Sequence, residues 1–343
     1  MSLTPAEARA LHDEWCVIDL HADTPKLMDK LGYDLAARHE RPMPKQLNWL
    51  GHVDLPRLRD GGVAAQFFAL WAFPKYIPGT GRSCARSVLA QIEALDAAVA
   101  KHPEQLAWTR TGAEIRAAKA AGKIAVLGGI EGGHALDGRV EAIELFARKG
   151  VRYLGPLHLW PNELGGTSRK PKRDEGLSDL GRDVIRECER CGVIVDLAHI
   201  NRRGFFEALE LTEQPPMVTH TGVNGVHVSW RNLDDDQIRA VADRGGCIGI
   251  IFARQFLGGA SIDAVVDHIA HVIDVAGEDV PALGSDFDGF VVPPEGLEDI
   301  AAIPNLTVAL SRRGIPPRVL EKVLGGNVLR VLDTVPTFGK LSA

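Results

Sequence analysis

Short apolar runs rich in Val and Ile recur along the chain, and the stretches between them repeat their apolar residues at helical spacing. The runs occupy 16–21, 63–72, 124–131, 151–158, 193–199, 217–221, 247–253 and 280–286. They are apolar on both faces and preceded by Gly or Pro. That suits strands of a parallel sheet, whose two sides are covered by crossover helices. Helical patterns fall at 85–101, 140–149, 179–190 and 234–244, and Gly122, Gly150, Gly192 and Gly245 stand where helices stop before the next strand. This alternation predicts an α/β fold, a (β/α)8 TIM barrel, as one domain over 1–343. A doubly wound dinucleotide fold is excluded, because the turn after the first run reads HADTPK rather than G-x-G-x-x-G. Long loops at 22–62 and 159–176 leave the face on which such barrels build their sites. The second carries Arg169, Lys170, Lys172 and Arg173 and is either a solvated loop or a lid.

Composition mainly removes alternatives. With 343 residues, 45% hydrophobic and 24% charged, the chain is of ordinary soluble type. A net charge of −6, scattered rather than clustered, excludes a basic nucleic-acid footprint and a cationic membrane face. No apolar run is long enough to span a bilayer, and the start and end show neither a signal-peptide pattern nor a lipidation box. Cys188 and Cys191 form a C-x-x-C pair, but inside a helical pattern and with no second pair to complete a zinc knuckle. The five Cys are read as reduced thiols of a cytoplasmic protein.

The chemistry lies in what ends the runs. The first ends in His21-Ala22-Asp23, and others end at Glu131, His158, His199, His220 and Asp286. One His at a strand end is most often structural. Six strands ending this way converge on one rim of a barrel, where imidazoles and carboxylates crowd together and bound cations balance them. Nitrogen and oxygen ligands without Cys suit zinc or a similar divalent ion. His21 and Asp23, two apart, are expected on one side of a strand and on one metal. Glu131 has two oxygens and can bridge to a second metal on His199 and His220, a recurrent hydrolytic arrangement.

The segments VIDLHADTP, GGIEGGHAL, YLGPLH, GLSDLGRDVIRECERCGVIVDLAH, VTHTG, WRNLDDD and LGSDFDG occur in this order. So arranged, the chain resembles the renal (membrane) dipeptidase family, peptidase family M19 of the amidohydrolase superfamily, from about Val17 to Asp333. HVDLPRLRDGGVAAQFFALW and GGNVLRVLD are similar to that family too. The resemblance implies two Zn2+ per subunit, one on His21 and Asp23 and one on His199 and His220, bridged by Glu131 and a hydroxide. It implies that His158 polarises the substrate, that Arg231 meets the terminal carboxylate, and that Asp286, rather than Asp288, is the general base and acid. The implied substrate is a short dipeptide, L-Xaa-D-Xaa among the possibilities, or a similar small molecule with a free carboxylate; the implied assembly is a homodimer, with no nucleic-acid or membrane partner. Two other readings stay open: an amidohydrolase of another small amide or lactone, such as an N-acyl amino acid, and a non-catalytic metal-binding protein.

The chain departs from the pattern after the seventh run. It reads GIIFARQFLGG where asparagine and tyrosine are expected, which places Arg254 as a candidate second charged contact. Trp160 and Asn162 are candidates to line the pocket, His134 to support Glu131, and His227 to lie near the site. His52 is assigned to packing, and His12, His39, His102, His268 and His271 to the surface.

Overall fold

The computed structural model describes residues 3–40, 49–74, 83–169 and 175–339. Among the described residues there are nine parallel strands: β1 (Val17–Ala22), β2 (Val63–Trp71), β3 (Leu106–Trp108), β4 (Ile124–Glu131), β5 (Val151–Gly155), β6 (Ile194–Val195), β7 (Met217–Thr221), β8 (Cys247–Ile250) and β9 (Pro281–Leu283). Eight of them form one path in the order β6-β5-β4-β2-β1-β9-β8-β7, and β3 pairs with β4 beside it. The path curls, and its two ends approach at a single parallel bridge between Asp196 and Met217, where the Leu197 amide donates to the Met217 carbonyl at 2.8 Å. The fold is thus α/β with a curled, TIM-like parallel sheet. Along β1, β2, β4 and β5 every residue is buried, as expected of strands covered on both faces.

The expected helices are present as Cys84–Lys101, Ala142–Arg148, Asp179–Arg190 and Asp235–Asp243. Side chains cap several of their N-termini: Ser83 accepts from the Arg86 amide, Ser178 from Gly181 and Asp234 from Gln237. Gly122, Gly150, Gly192 and Gly245 all have positive φ, the conformation that ends a helix and that other L-residues adopt only at a cost.

The strands differ from expectation at their carboxyl ends. β5 stops at Gly155, β6 at Val195, β8 at Ile250 and β9 at Leu283, so His158, His199 and Asp286 lie in the following turns. At β6 the cause is local: the Asp196 side chain accepts from the Ala198 amide at 3.0 Å and the Thr219 amide at 2.9 Å, replacing ladder bonds, and His199 then takes φ 65°. β3 (LAW) was not expected, because three residues without Val or Ile carry no strand signature. Part of the first long loop, and Lys170, Lys172 and Arg173 of the second, fall outside the described residues.

All five Cys are free, and Cys188 and Cys191 are buried at the end of helix Asp179–Arg190, where burial pushes the Cys191 thiol up to about 12. Among the described residues no helix is long and apolar enough to cross a membrane.

Two histidines expected at the surface are fully buried. His12 sits between the Gly61 carbonyl and the Thr307 hydroxyl, at 2.8 and 2.7 Å. His268 accepts from the Val223 amide through Nδ1 at 2.9 Å, and its Nε2 lies 3.2 Å from the Leu257 carbonyl. Helical patterns place residues on faces; which face meets the sheet is a tertiary matter. Burial pushes the His268 pKa down to about 4. In the unfolded chain it titrates near about 6.5, so the unfolded state binds the extra proton between these values and stability falls as pH drops through that window. At pH 5 the loss is about 2 kcal/mol. Urea unfolding at pH 7 and pH 5 measures it: the His268→Gln variant lacks this share of the loss, and an unchanged pH dependence would refute the assignment.

Candidate metal centre and active site

Chain segments far apart in sequence deliver their polar ends to one place. His21 lies in β1, Glu131 ends β4 and His220 lies in β7, while His158, His199 and Asp286 stand in turns beyond β5, β6 and β9. Asp23 is not a strand residue: β1 ends at Ala22, and Asp23 occupies the N-cap position of helix Thr24–Leu31. His21 and Asp23 nonetheless meet, Nε2 to Oδ1 at 3.6 Å, because the helix turns the carboxylate back over the strand end. The turn after β9 is stitched to β1, the Asp23 amide donating to the Phe287 carbonyl at 2.8 Å and the Asp286 amide to the His21 carbonyl at 3.1 Å.

Glu131 is the hub. Its Oε2 lies 3.7 Å from His21 Nε2 and 3.5 Å from His158 Nε2, and its Oε1 lies 2.9 Å from His199 Nε2 and 3.4 Å from His220 Nε2. Three ligand sets follow, each with its donor atoms within 4.8 Å of one another: His21, Asp23 and Glu131; Glu131, His199 and His220; and His21, His220 and Asp286. The donor chemistry fits a divalent cation. His21 Nε2 and Asp23 Oδ1 are buried without a hydrogen-bond partner, and His199 and His220 bring their Nε2 atoms to 2.9 Å. A bound cation would answer both arrangements.

The electrostatics agree. Burial alone would depress His21, yet the carboxylates of Glu131 and Asp23 hold it well above the ordinary imidazole value. Burial would raise Glu131, but His158, His21 and His199 hold it well below the usual carboxylate range. Burial pushes Asp23 up to about 6, and burial with the neighbouring Asp23 carboxylate pushes Asp286 well up. Burial lowers His199 and His220 strongly, helped by Arg231 at the first and His21 at the second. Burial thus drives several of these groups towards their uncharged forms, and a divalent cation would balance the buried carboxylates while taking neutral imidazoles as ligands.

Behind the cluster stands a layer that sequence reasoning did not single out. Thr219 Oγ1 donates to Asp196 Oδ2 at 2.7 Å and lies 3.0 Å from His220 Nδ1 and 3.4 Å from His21 Nδ1. Its one hydrogen is spent on Asp196, so it accepts from the imidazoles. Each Nδ1 then carries a proton, which leaves each Nε2 as the atom that would ligate a cation. Tyr153 Oη stands 3.2 Å from the same His21 Nδ1, and Gly129 leaves room for that ring: a Cβ there would come within 2.1 Å of it. Asp19, two residues before His21, accepts from the Ser285 amide at 2.8 Å, the Ser285 hydroxyl at 2.7 Å and Gln66 at 2.7 Å. The only available signal for Asp19 and Asp196 was an acid inside an apolar run.

His52, assigned to packing, also steadies the site. Its amide donates to Asp288 Oδ1 at 2.7 Å, its Nδ1 lies 3.0 Å from the Asp288 amide, and Thr24 donates to Asp288 Oδ2 at 2.7 Å. Burial would raise Asp288, but these bonds hold it below the usual carboxylate range. Both Asp288 oxygens are thereby engaged, whereas Asp286 faces the cavity.

That cavity, about 240 Å³, is lined by the cluster residues Asp23, Glu131, His158, His199, His220 and Asp286. Arg231 and Trp160 join the lining; Asn162, His227 and Arg254 do not. Asn162 braces its own turn, donating to the Pro156 carbonyl and accepting from the Leu164 amide. Arg254 turns away, donating to the Pro293 carbonyl at 2.7 Å, and Gln255 and Phe256 take the cavity side. His134 is largely buried against the Pro161 carbonyl. Arg231 is buried, with Nη2 donating to the His220 carbonyl; among the described residues no carboxylate lies within ion-pair distance of it. Burial pushes His158 down to about 4, so its imidazole is neutral at pH 7.

The family model described as membrane dipeptidase (peptidase family M19) matches residues 5–342. Among solved structures, the chain is similar to a dipeptidase described as a metallopeptidase of family M19, at 28% identity and TM-score 0.83, over 94% of this chain and 98% of that one. It is similar to a metallopeptidase from Rhodobacter sphaeroides, solved with a phosphinate mimic of the dipeptide L-Ala-D-Ala, at 27% identity and TM-score 0.80, over 94% and 99%. It is also similar to an amidohydrolase from Pseudomonas aeruginosa, at 25% identity and TM-score 0.79, over 97% and 99%.

One hydroxyl touching an imidazole from each of two ligand sets has a measurable consequence. Thr219→Val keeps the shape and removes the acceptor, so a divalent ion held by these imidazoles would bind about 10- to 100-fold more weakly, while Thr219→Ser restores much of the affinity. Calorimetric titration of the apoprotein with Zn2+ checks this; an unchanged affinity in Thr219→Val would refute it.

Proposed function

Because the chain belongs to the membrane dipeptidase family, peptidase family M19, we propose that it is a binuclear zinc dipeptidase. The observation that carries the reading is Glu131, one carboxylate whose two oxygens face two different sets of ligands. His21, Asp23 and Glu131 would hold one ion, and Glu131, His199 and His220 the other. Bound there, the ions would bring the pKa of a shared water towards neutrality and polarise the scissile carbonyl.

The chain's own groups do the rest. Arg231 receives the substrate's terminal carboxylate in a two-pronged bond, which answers the missing counter-charge around its buried guanidinium. That anchor, close to His199 and His220, limits substrates to molecules little longer than a dipeptide. His158 donates a hydrogen bond to the carbonyl oxygen as it gains charge; a neutral imidazole serves this role. An Asp286 carboxylate oxygen takes the proton of the attacking water and delivers it to the departing amine, base first and acid second. Asp288 is unsuited to that task, since His52 and Thr24 already occupy its oxygens.

Asp286→Asn lowers kcat on dipeptides by about 10²- to 10⁴-fold with metal content unchanged. Metal analysis beside steady-state kinetics tests this, and full activity in the variant would remove Asp286 from the mechanism. Arg231→Ala cripples cleavage of dipeptides but spares small amides without a free carboxylate. An equal loss on both would favour the reading as an amidohydrolase of other small amides. The zinc-loaded protein is expected to cleave members of a panel of L,L and L,D dipeptides; no cleavage with two ions bound would sink the dipeptidase reading.

A further inference from the structure

One wall of the cavity is built of aromatic rings that the chemistry above does not use. Trp71 ends β2, Phe73 follows it by two residues, and Trp160 comes from the turn after β5. The rings pack edge to face, Trp71 on Phe73 with centroids 4.7 Å apart and Phe73 on Trp160 at 5.6 Å. His158 stands between the two indoles, 5.5 Å from each and steeply inclined to both.

The wall is held firmly from behind. Gln91 donates to the Trp71 carbonyl at 2.7 Å and accepts from the Trp71 amide at 3.3 Å. The buried Lys26 donates to the same carbonyl at 3.2 Å, and its ammonium lies 4.5 Å from the Trp71 ring centre and 5.3 Å from that of Phe73. Cation–π attraction of this kind fixes ring orientation. A rigid aromatic surface facing a cavity is a surface for an apolar group.

Its position says which group. Arg231 follows β7, at one end of the sheet path, and β2 lies four strands along it (β7-β8-β9-β1-β2), so the curl sets the two across the cavity from each other. A dipeptide with its carboxylate on Arg231 and its carbonyl at His158 carries its first residue towards β2. Resting on the dipeptidase reading above, we propose that Trp71, Phe73 and Trp160 form the pocket for the N-terminal side chain. The preferred substrates are then dipeptides that begin with an aromatic or large apolar residue.

The test is kcat/KM of the zinc-loaded enzyme on Phe-Ala, Leu-Ala, Gly-Ala, Ala-Phe and Ala-Gly. Phe-Ala exceeds Gly-Ala by about tenfold or more, the scale on which apolar pockets discriminate. Phe73→Ala and Trp160→Ala each cut that ratio several-fold, Phe73→Leu recovers part of it, and the ratio of Ala-Phe to Ala-Gly moves much less. Trp160 lies outside the strands, so its variant stands in if Phe73→Ala folds poorly. Cleavage of all five with no advantage for Phe-Ala, or a ratio unmoved by both variants, overturns the pocket and leaves the dipeptidase reading intact. Failure to cleave any dipeptide overturns that reading, and the pocket with it.

Discussion

A buried carboxylate among imidazoles is the constraint on which the rest of this structure turns. Glu131 is only 3% exposed, yet four histidine side chains reach within 3.7 Å of its oxygens. Burying so many ionisable groups together is unfavourable unless charge is balanced and every donor has an acceptor. Burial pushes Asp23 and Asp286 up and His199 and His220 down, so each is driven towards its uncharged form, while neighbouring imidazoles keep Glu131 well below the usual carboxylate range. A divalent cation at the cluster would balance the buried carboxylates and use the Nε2 atoms as ligands.

Holding the cluster in place uses backbone conformations that most residues avoid. His199, Asp286 and Asp288 all have positive φ, at 65°, 61° and 66°. Each such residue is disfavoured by roughly 1–3 kcal/mol and persists only where its surroundings demand it. Here they do: Asp196 and Thr219 brace the His199 side, and His52, Thr24 and Ser285 brace the turn that carries Asp286. This strain lies in the turns beyond β6 and β9 that carry His199 and Asp286.

The same frame separates two kinds of recognition. The β7 side of the cavity offers Arg231, a buried cation suited to a carboxylate, and the β2 side offers aromatic rings packed edge to face. Sheet order alone sets these apart, since β1, β8 and β9 lie between them on the path. Under the proposed dipeptidase reading, this arrangement would give a short zwitterion one way to lie across the candidate metal ligands.

Much of this was legible in the linear pattern. In a chain of alternating strands and helices, a strand's carboxyl end has a known destination, so His21, Glu131 and His220 could be grouped before any distance was known. Gly150 and Gly192 marked helix stops for equally local reasons. Other features depended on register and curl. Asp23 proved to stand at a helix N-cap position, Arg254 turned outward with Gln255 and Phe256 facing the cavity, and His268, assigned to the surface, was buried. The sharing of one Thr219 hydroxyl between His21 and His220, nearly two hundred residues apart, has no trace in local sequence. Periodicity and turn chemistry act over a few residues, and they determined most of the elements and the helix stops, though not where several strands end. Contacts between elements depend on how the sheet closes upon itself, and only the folded chain decided those.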